Sequence, residues 1–189
     1  MPNPYFSFKQ FTVYHDRCAM KVGTDGVLLG AWVDVVSARN ILDVGTGTGL
    51  ISLMMAQRCN AQIRAVDIDA DAVEQARGNV AASPWQDRIE VELQDICHFT
   101  SETLFDVIVS NPPYFTDSLK CPERQRNIAR HTDLLDFDKL AESAARLLHS
   151  EGVFSVIIPA DGKESFLDGC HSLRITSLTP DFNSYKTWN

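Results

Sequence analysis

Two short stretches of this chain carry residue types at spacings that suit chemistry. In the first, Asp43-Val44-Gly45-Thr46-Gly47-Thr48-Gly49, three alternating glycines follow an acid. Glycines at that spacing put no Cβ in the way, so the backbone can turn sharply and approach a ligand closely. A helix starting just after such a turn offers its free N–H groups to an anionic group. The stretch is not a dinucleotide fingerprint, because the sixth residue counted from Gly45 is Leu50. It is not a P-loop either, since no Gly-Lys-Ser/Thr follows. Asp43 is placed to meet a ligand cation or to bond loop amides. Asp67 stands eighteen residues past Gly49, where a carboxylate can accept both hydroxyls of a ribose. Asp69 and Asp71 read as helix-capping or first-turn acids. Asp95 suits either an adenine amino group or a turn.

The second stretch is Asn111-Pro112-Pro113-Tyr114. Consecutive prolines cannot extend a strand and they lock the backbone. The Asn111 side chain and the Pro112 carbonyl are thereby held as two fixed acceptors, beside the flat ring of Tyr114. That combination suits a planar group bearing an NH2. An exocyclic amine is a poor nucleophile because its lone pair is delocalised into the ring. Two acceptors on its protons favour the localised form and stabilise the charge that develops during attack.

The elements that must position these stretches follow a regular rhythm. Phe6, Phe8, Phe11 and Val13 alternate as one or two short strands, and Thr24 or Asp25 caps a helix carrying Val27, Leu28, Ala31 and Trp32. From residue 40 onward, strands are expected at Asn40–Val44, Ile63–Val66, Ile89–Leu93, Phe105–Val109, Val153–Ile158 and Leu173–Leu178. Helices are expected at Leu50–Cys59, Ala70–Ala82, around Leu140–Leu148 and at Glu164–Cys170. Apolar strands alternating with helices indicate a doubly wound α/β fold, its mostly parallel sheet covered on both faces. Ligands of such sheets bind outside the carboxyl ends of the strands, where both stretches fall. The expected division is an N-terminal extension over residues 1–39 packed on a core over 40–189.

The glycine loop, the strand-end acids Asp67 and Asp95, and Asn-Pro-Pro-Tyr together resemble the class I methyltransferases dependent on S-adenosylmethionine, a Rossmann-like fold. The run His15-Asp16-Arg17-Cys18-Ala19-Met20-Lys21-Val22-Gly23-Thr24-Asp25-Gly26 is similar to the signature of a narrower family, the bacterial tRNA (adenine) methyltransferases that modify the adenosine next to the anticodon of a valine tRNA. The resemblance spans roughly residues 5–175. It implies that Gly45, Gly47 and Gly49 contact the methionine part of the cofactor, with Asp43 near its ammonium group. It further implies that Asp67 holds the ribose, that Asp95 holds the adenine, and that Lys21, Thr24 and Asp25 close over the cofactor. Asn111 and Pro112 would accept from the target amine, and Tyr114 would stack on the target base. Enzymes methylating a glutamine amide of release factors or a guanine amine of ribosomal RNA share Asn-Pro-Pro-Tyr, and both stay open as alternatives that the upstream run disfavours. The reaction calls for no metal. His15 and His131 read as structural or phosphate-contacting, because the chemistry needs no proton shuttle.

Charge bears on the RNA reading. The chain carries a net charge of -8, so a polyanion must be met by a local basic patch. Lys120–His131 holds Lys120, Arg124, Arg126 and Arg130 against Glu123 alone and suits phosphate contacts, with Arg17 and Lys21 expected to add to the same face. Of 189 residues, 44% are hydrophobic, which excludes wholesale disorder. No apolar run approaches a membrane span, and no signal peptide is legible. Five scattered cysteines without a C-x-x-C pair fit a reducing compartment, and a cytoplasmic monomer is expected. After Leu178 the chain is polar, whereas the family's sheet closes with an antiparallel last strand. The expectation is therefore a sheet lacking that strand in a C-terminally truncated chain. An inactive remnant stays open beside the live enzyme.

Overall fold

The computed structural model describes residues 3–18, 20–112, 137–158 and 163–172. Two strands, β1 (Tyr5–Ser7) and β2 (Thr12–Tyr14), form an antiparallel hairpin that leads to helix α1 (Thr24–Trp32). The core then runs β3 (Asn40–Val44), α2 (Leu50–Ala56), β4 (Gln62–Asp67), α3 (Ala70–Ala81), β5 (Ile89–Leu93), β6 (Phe105–Ser110), α4 (Phe137–Leu147), β7 (Leu148–Val156) and α5 (Lys163–Ser172). The five core strands lie in the order β5-β4-β3-β6-β7, and every neighbouring pair is parallel. The doubly wound parallel sheet expected from the sequence is thus observed. Its order reverses between β3 and β6, which makes the carboxyl ends of those two strands the ligand crevice.

Two apolar layers cover the sheet. On one face, Leu29 of α1 and Val33 just after it, Leu53 and Met55 of α2 and Val73 and Ala76 of α3 pack with Phe11 and Val13 of the hairpin segment. On the other, Leu140, Ala144 and Leu147 of α4 pack with Phe99, Phe105 and Ile108. The hairpin and α1 therefore share the main core.

Some element ends depart from the sequence reading. Gly23, rather than Thr24 or Asp25, occupies the N-cap of α1, and no side chain caps that helix. The buried positions of α1 are Gly26, Leu29 and Gly30, while Leu28 and Trp32 are exposed. The reason is close packing. A Cβ on Gly30 would come 2.8 Å from Met54 Sδ and 3.0 Å from its Cβ, and one on Gly26 would come 3.2 Å from Leu50 Cδ2. Two glycines four residues apart thus form the seam along which α1 lies against α2. Helix α2 stops at Ala56 rather than Cys59, and Arg88 donates to the carbonyl of Ala56 at its end and to those of Cys59 and Ala61 beyond it. Helix α4 ends at Leu147, and β7 begins at once with Leu148, five residues ahead of Val153. The expected strand Leu173–Leu178 lies outside the described residues. Among those described, no helix is long and apolar enough to cross a membrane.

Candidate active site

The glycine loop is shaped by its own backbone. Gly45, Gly47 and Gly49 adopt φ of 69°, 55° and 78°, a left-handed region that L side chains rarely enter. The N–H groups of Gly45 and Thr46 both donate to Val66 O of β4, at 2.9 and 3.1 Å. Gly49 is the N-cap of α2. Among the described residues, a Cβ on Gly45 or Gly47 would meet nothing within 4 Å, which leaves the loop's backbone approachable at the crevice.

Two acids hold this loop from opposite sides. Asp43 is fully buried. Its Oδ2 accepts from Thr46 Oγ1 (2.8 Å), Ser52 Oγ (2.6 Å) and the Ser52 N–H (3.2 Å). Its Oδ1 is buried with no partner among the described residues. Burial pushes the Asp43 carboxyl up to about 6, against the lowering effect of the Ser52 and Thr46 bonds. Asp67 ends β4. Its Oδ2 accepts from the Gly47 N–H (2.8 Å) and its Oδ1 from the Asp69 N–H (3.0 Å). Burial raises its carboxyl above the ordinary range in spite of those amides. The Ile68 amide also bonds this carboxylate, and of its roughly four lone-pair sites three amides leave capacity for a hydroxyl donor. Asp69 caps α3 by accepting from the Asp71 N–H at 2.9 Å, as the sequence suggests.

Asp95 follows β5 and shapes its turn, accepting from the Cys97 N–H (2.9 Å) and meeting His98 Nδ1 at 3.1 Å. Burial pushes its carboxyl up, and the Cys97 and His98 bonds outweigh that push and leave it lowered. Between the Asp67 and Asp95 positions stand two apolar side chains that the sequence reading missed. Ile68 is 54% exposed and Leu93 52% exposed, directly after and at the carboxyl ends of β4 and β5. Exposed aliphatic groups beside ribose-type acceptors suit a flat base. The available signal was an apolar residue beside a strand-end acid.

Across the crevice, Ser110 Oγ donates to Val44 O at 2.9 Å and pins the end of β6 to the end of β3. Asn111 follows, half-buried, and Pro112 is buried. A Cβ on Gly26 would lie 3.7 Å from Asn111 Nδ2, so α1 passes beside the Asn111 amide. The structure thereby brings together the glycine loop, Asp67, Asn111 and the first turn of α1, which contains Thr24 (exposed) and Asp25 (half-buried). Lys21 is exposed just ahead of that turn. Cys18 lies near the same acids. Burial first, then the carboxylates of Asp67, Asp69, Asp16 and Asp71, push its thiol up to about 12. It is therefore a neutral thiol, which no sequence signal announced. Arg17 is exposed and pairs with Glu74 at 3.0 Å. His15 is buried, its Nε2 bonded to Asn3 O at 2.9 Å, a structural role. Tyr114, Lys120, Arg124, Arg126, Arg130 and His131 lie outside the described residues. A cleft of about 400 Å³ opens at the amino-terminal edge of the sheet, away from these groups. Its arginines are already engaged, Arg64 with Glu92 and Arg88 with three carbonyls.

The comparisons with known proteins bear on this geometry. Residues 18–165 match the family described as the methyltransferase small domain. A protein of Phocaeicola vulgatus named tRNA1(Val) (adenine(37)-N6)-methyltransferase is 95% identical over 167 residues, covering 88% of this chain and 71% of that protein. One of Bacteroides thetaiotaomicron with the same name is 61% identical over 189 residues, covering 99% and 76%. Among solved structures, the glycopeptide N-methyltransferase MtfA complexed with (S)-adenosyl-L-methionine aligns with a TM-score of 0.50 at 16% identity, covering 69% of this chain and 51% of that one. YjhP of E. coli aligns with a TM-score of 0.53 at 15% identity, covering 72% and 49%. At those identities the likeness is one of fold.

Proposed function

Because the chain belongs to the methyltransferase small domain family of class I methyltransferases, we propose that it transfers a methyl group from S-adenosylmethionine to the exocyclic amine of adenosine 37 in tRNA1(Val). The observation that carries this reading is the meeting, at the crossover between β3 and β6, of an open left-handed glycine loop with the Asn111 amide. The high identity to relatives named for that reaction supports the substrate.

The residues present fit the cofactor. The loop gives backbone access at Gly45 and Gly47, and Asp43 keeps an unpartnered buried oxygen behind it. Asp67 keeps acceptor capacity for hydroxyls, and Ile68 and Leu93 offer exposed aliphatic surface. When bound, the cofactor supplies a methyl group on a positively charged sulfur. The protein's part is then chiefly positioning. The Asn111 side chain and the Pro112 carbonyl accept from the two amine protons, which localises the nitrogen lone pair and steadies the charge that grows during attack. Tyr114 stacks on the target base, Asp95 faces the cofactor adenine, and Lys21, Thr24 and Asp25 cover the site from the N-terminal side. Lys120, Arg124, Arg126, Arg130 and Arg17 contact the RNA backbone. An anticodon-loop adenosine is already single-stranded, which lowers the cost of presenting it. In this reading residues 1–39 form an extension that completes the core from residue 40 onward, and the enzyme works as a cytoplasmic monomer without a metal.

The test is to incubate the protein with labelled S-adenosylmethionine and unmodified total tRNA, digest, and identify nucleosides by mass spectrometry, with calorimetry of cofactor binding alongside. Label in N6-methyladenosine of valine tRNA is expected. Label in guanosine, or none despite cofactor binding, overturns the substrate assignment.

A further inference from the structure

Helix α3 buries one face, and four of its buried residues, Ala72, Val73, Ala76 and Val80, are apolar as the sequence leads one to expect. Gln75 and Asn79, also buried and spaced four apart, are not. A buried carboxamide is costly unless its groups are bonded. Asn79 is 2% exposed and makes three bonds of 2.9 Å. Its Oδ1 accepts from the Tyr14 N–H, and its Nδ2 donates to Tyr14 O and to Thr48 O. It pairs with the backbone of β2 as a neighbouring strand would, and gives its remaining proton to the glycine loop. Gln75 accepts from the Arg17 N–H at 3.0 Å and holds the next stretch of the arm.

Thr48 stands between Gly47, whose N–H is held by Asp67, and Gly49, which caps α2. A Cβ on Gly49 would lie 3.4 Å from Ala76 Cβ, so α3 abuts the loop at two successive turns. The arm beyond Tyr14 runs through Arg17 and Cys18 to Lys21 and the first turn of α1, which passes beside Asn111.

We infer that Asn79 is a positioning residue of the methyl-transfer site, one carboxamide that holds the glycine loop and the N-terminal arm in a common register. This rests on the reading that the loop receives S-adenosylmethionine. Loop and arm approach that ligand from different parts of the chain, and Asn79 bonds both. Removing it lets each move independently, so that binding energy of the cofactor goes into ordering them.

The experiment compares wild type with Asn79→Ala, Asn79→Asp and Gln75→Ala. Asn79→Asp keeps the side-chain size and the acceptor for Tyr14 N–H and loses both donors, so it serves if the alanine variant does not fold. Amide hydrogen exchange without cofactor is read at residues 14–17 and 45–49, whose N–H groups are bonded at Tyr14, His15 and Arg17 and at Gly45, Thr46, Gly47 and Gly49. Cofactor affinity is read by calorimetry, and KM and kcat by turnover. Asn79 variants are expected to speed exchange in both segments and to raise the cofactor Kd and KM about tenfold, the size of one or two buried hydrogen bonds. Their kcat at saturating cofactor should hold, as befits lost uniform binding. Gln75→Ala should loosen the arm alone. A purely structural role would lower apparent kcat with the folded fraction and leave KM unmoved. That result, or loop exchange unchanged in the Asn79 variants, overturns the inference. Wild-type protein that takes up no cofactor while exchange stays coupled removes the cofactor reading and leaves the tie between loop and arm standing.

Discussion

At the residue scale, two polar side chains beside the crevice have separable consequences. Asn111 directly follows the end of β6 and precedes the buried Pro112, and its proposed work is confined to the amine. Asn111→Ala should therefore lower kcat about 10²–10³-fold, the cost of removing one fixed partner of developing charge. The cofactor Kd should stay within twofold by calorimetry. Asp43 titrates. Its carboxyl is raised to about 6 by burial, above its value in the unfolded chain. Such a group favours the fold fully below about pH 4 and loses that contribution as pH rises through about 6. Asp43→Asn is neutral throughout. Chemical unfolding without cofactor should show the variant gaining on wild type between pH 4 and 7, by up to about 3 kcal/mol. The cofactor should bind it less well at pH 7, where wild type presents a carboxylate. A constant stability difference across that range would place the Asp43 pKa near its ordinary value.

At the element scale, the α1–α2 seam leaves little room to change. Gly30→Ala drives a Cβ to 2.8 Å from Met54 Sδ and 3.0 Å from Met54 Cβ, and the second contact is not the tip of a flexible chain. The expected cost is about 1–3 kcal/mol, as for other overpacked sites, measured by denaturant unfolding. Because α1 also passes Asn111, target KM should rise as well. An unchanged midpoint would mean that the two helices part without penalty. This seam explains where the sequence reading was weakest. The β3–β6 strands and helices α2 and α3 were legible because their apolar periodicity and glycine punctuation agree with the tertiary packing. In α1 the buried residues include Gly26 and Gly30, which carry no hydrophobic signal, so Leu28 and Trp32 stood out instead. Gln75 and Asn79 were hidden for the converse reason. Polar residues on an apolar stripe look like interruptions until their backbone partners, distant in sequence, are in view.

At the scale of the whole molecule, an acidic protein is paired with a polyanionic substrate. The proposed contact lies in the basic run from Lys120 to Arg130, with four cations against Glu123. Replacing Arg124 and Arg126 by alanine should raise the KM for tRNA and reduce the slope of log affinity against log salt by about 1 for each phosphate no longer neutralised. Cofactor binding should not change. A slope equal to that of wild type would move the RNA-binding surface elsewhere on the molecule. What the sequence made legible at this scale was the crevice itself, since the alternation of strands with helices and the position of the motifs both lead to the carboxyl edge. What it could not convey was how the first residues reach that edge, because the tie between Tyr14 and Asn79 spans 65 residues. That span has a consequence for biosynthesis. A ribosome adds about 5–20 residues per second, so β2 emerges roughly 3–13 s before the side chain that anchors it exists. Through that interval Phe8, Phe11 and Val13, which pack in or against the main core of the folded protein, have no α3 to pack with. The β1–β2 hairpin thus waits for α3 before it can be seated, and nascent chains halted short of Asn79 should remain open to proteolysis at Lys9 and Arg17.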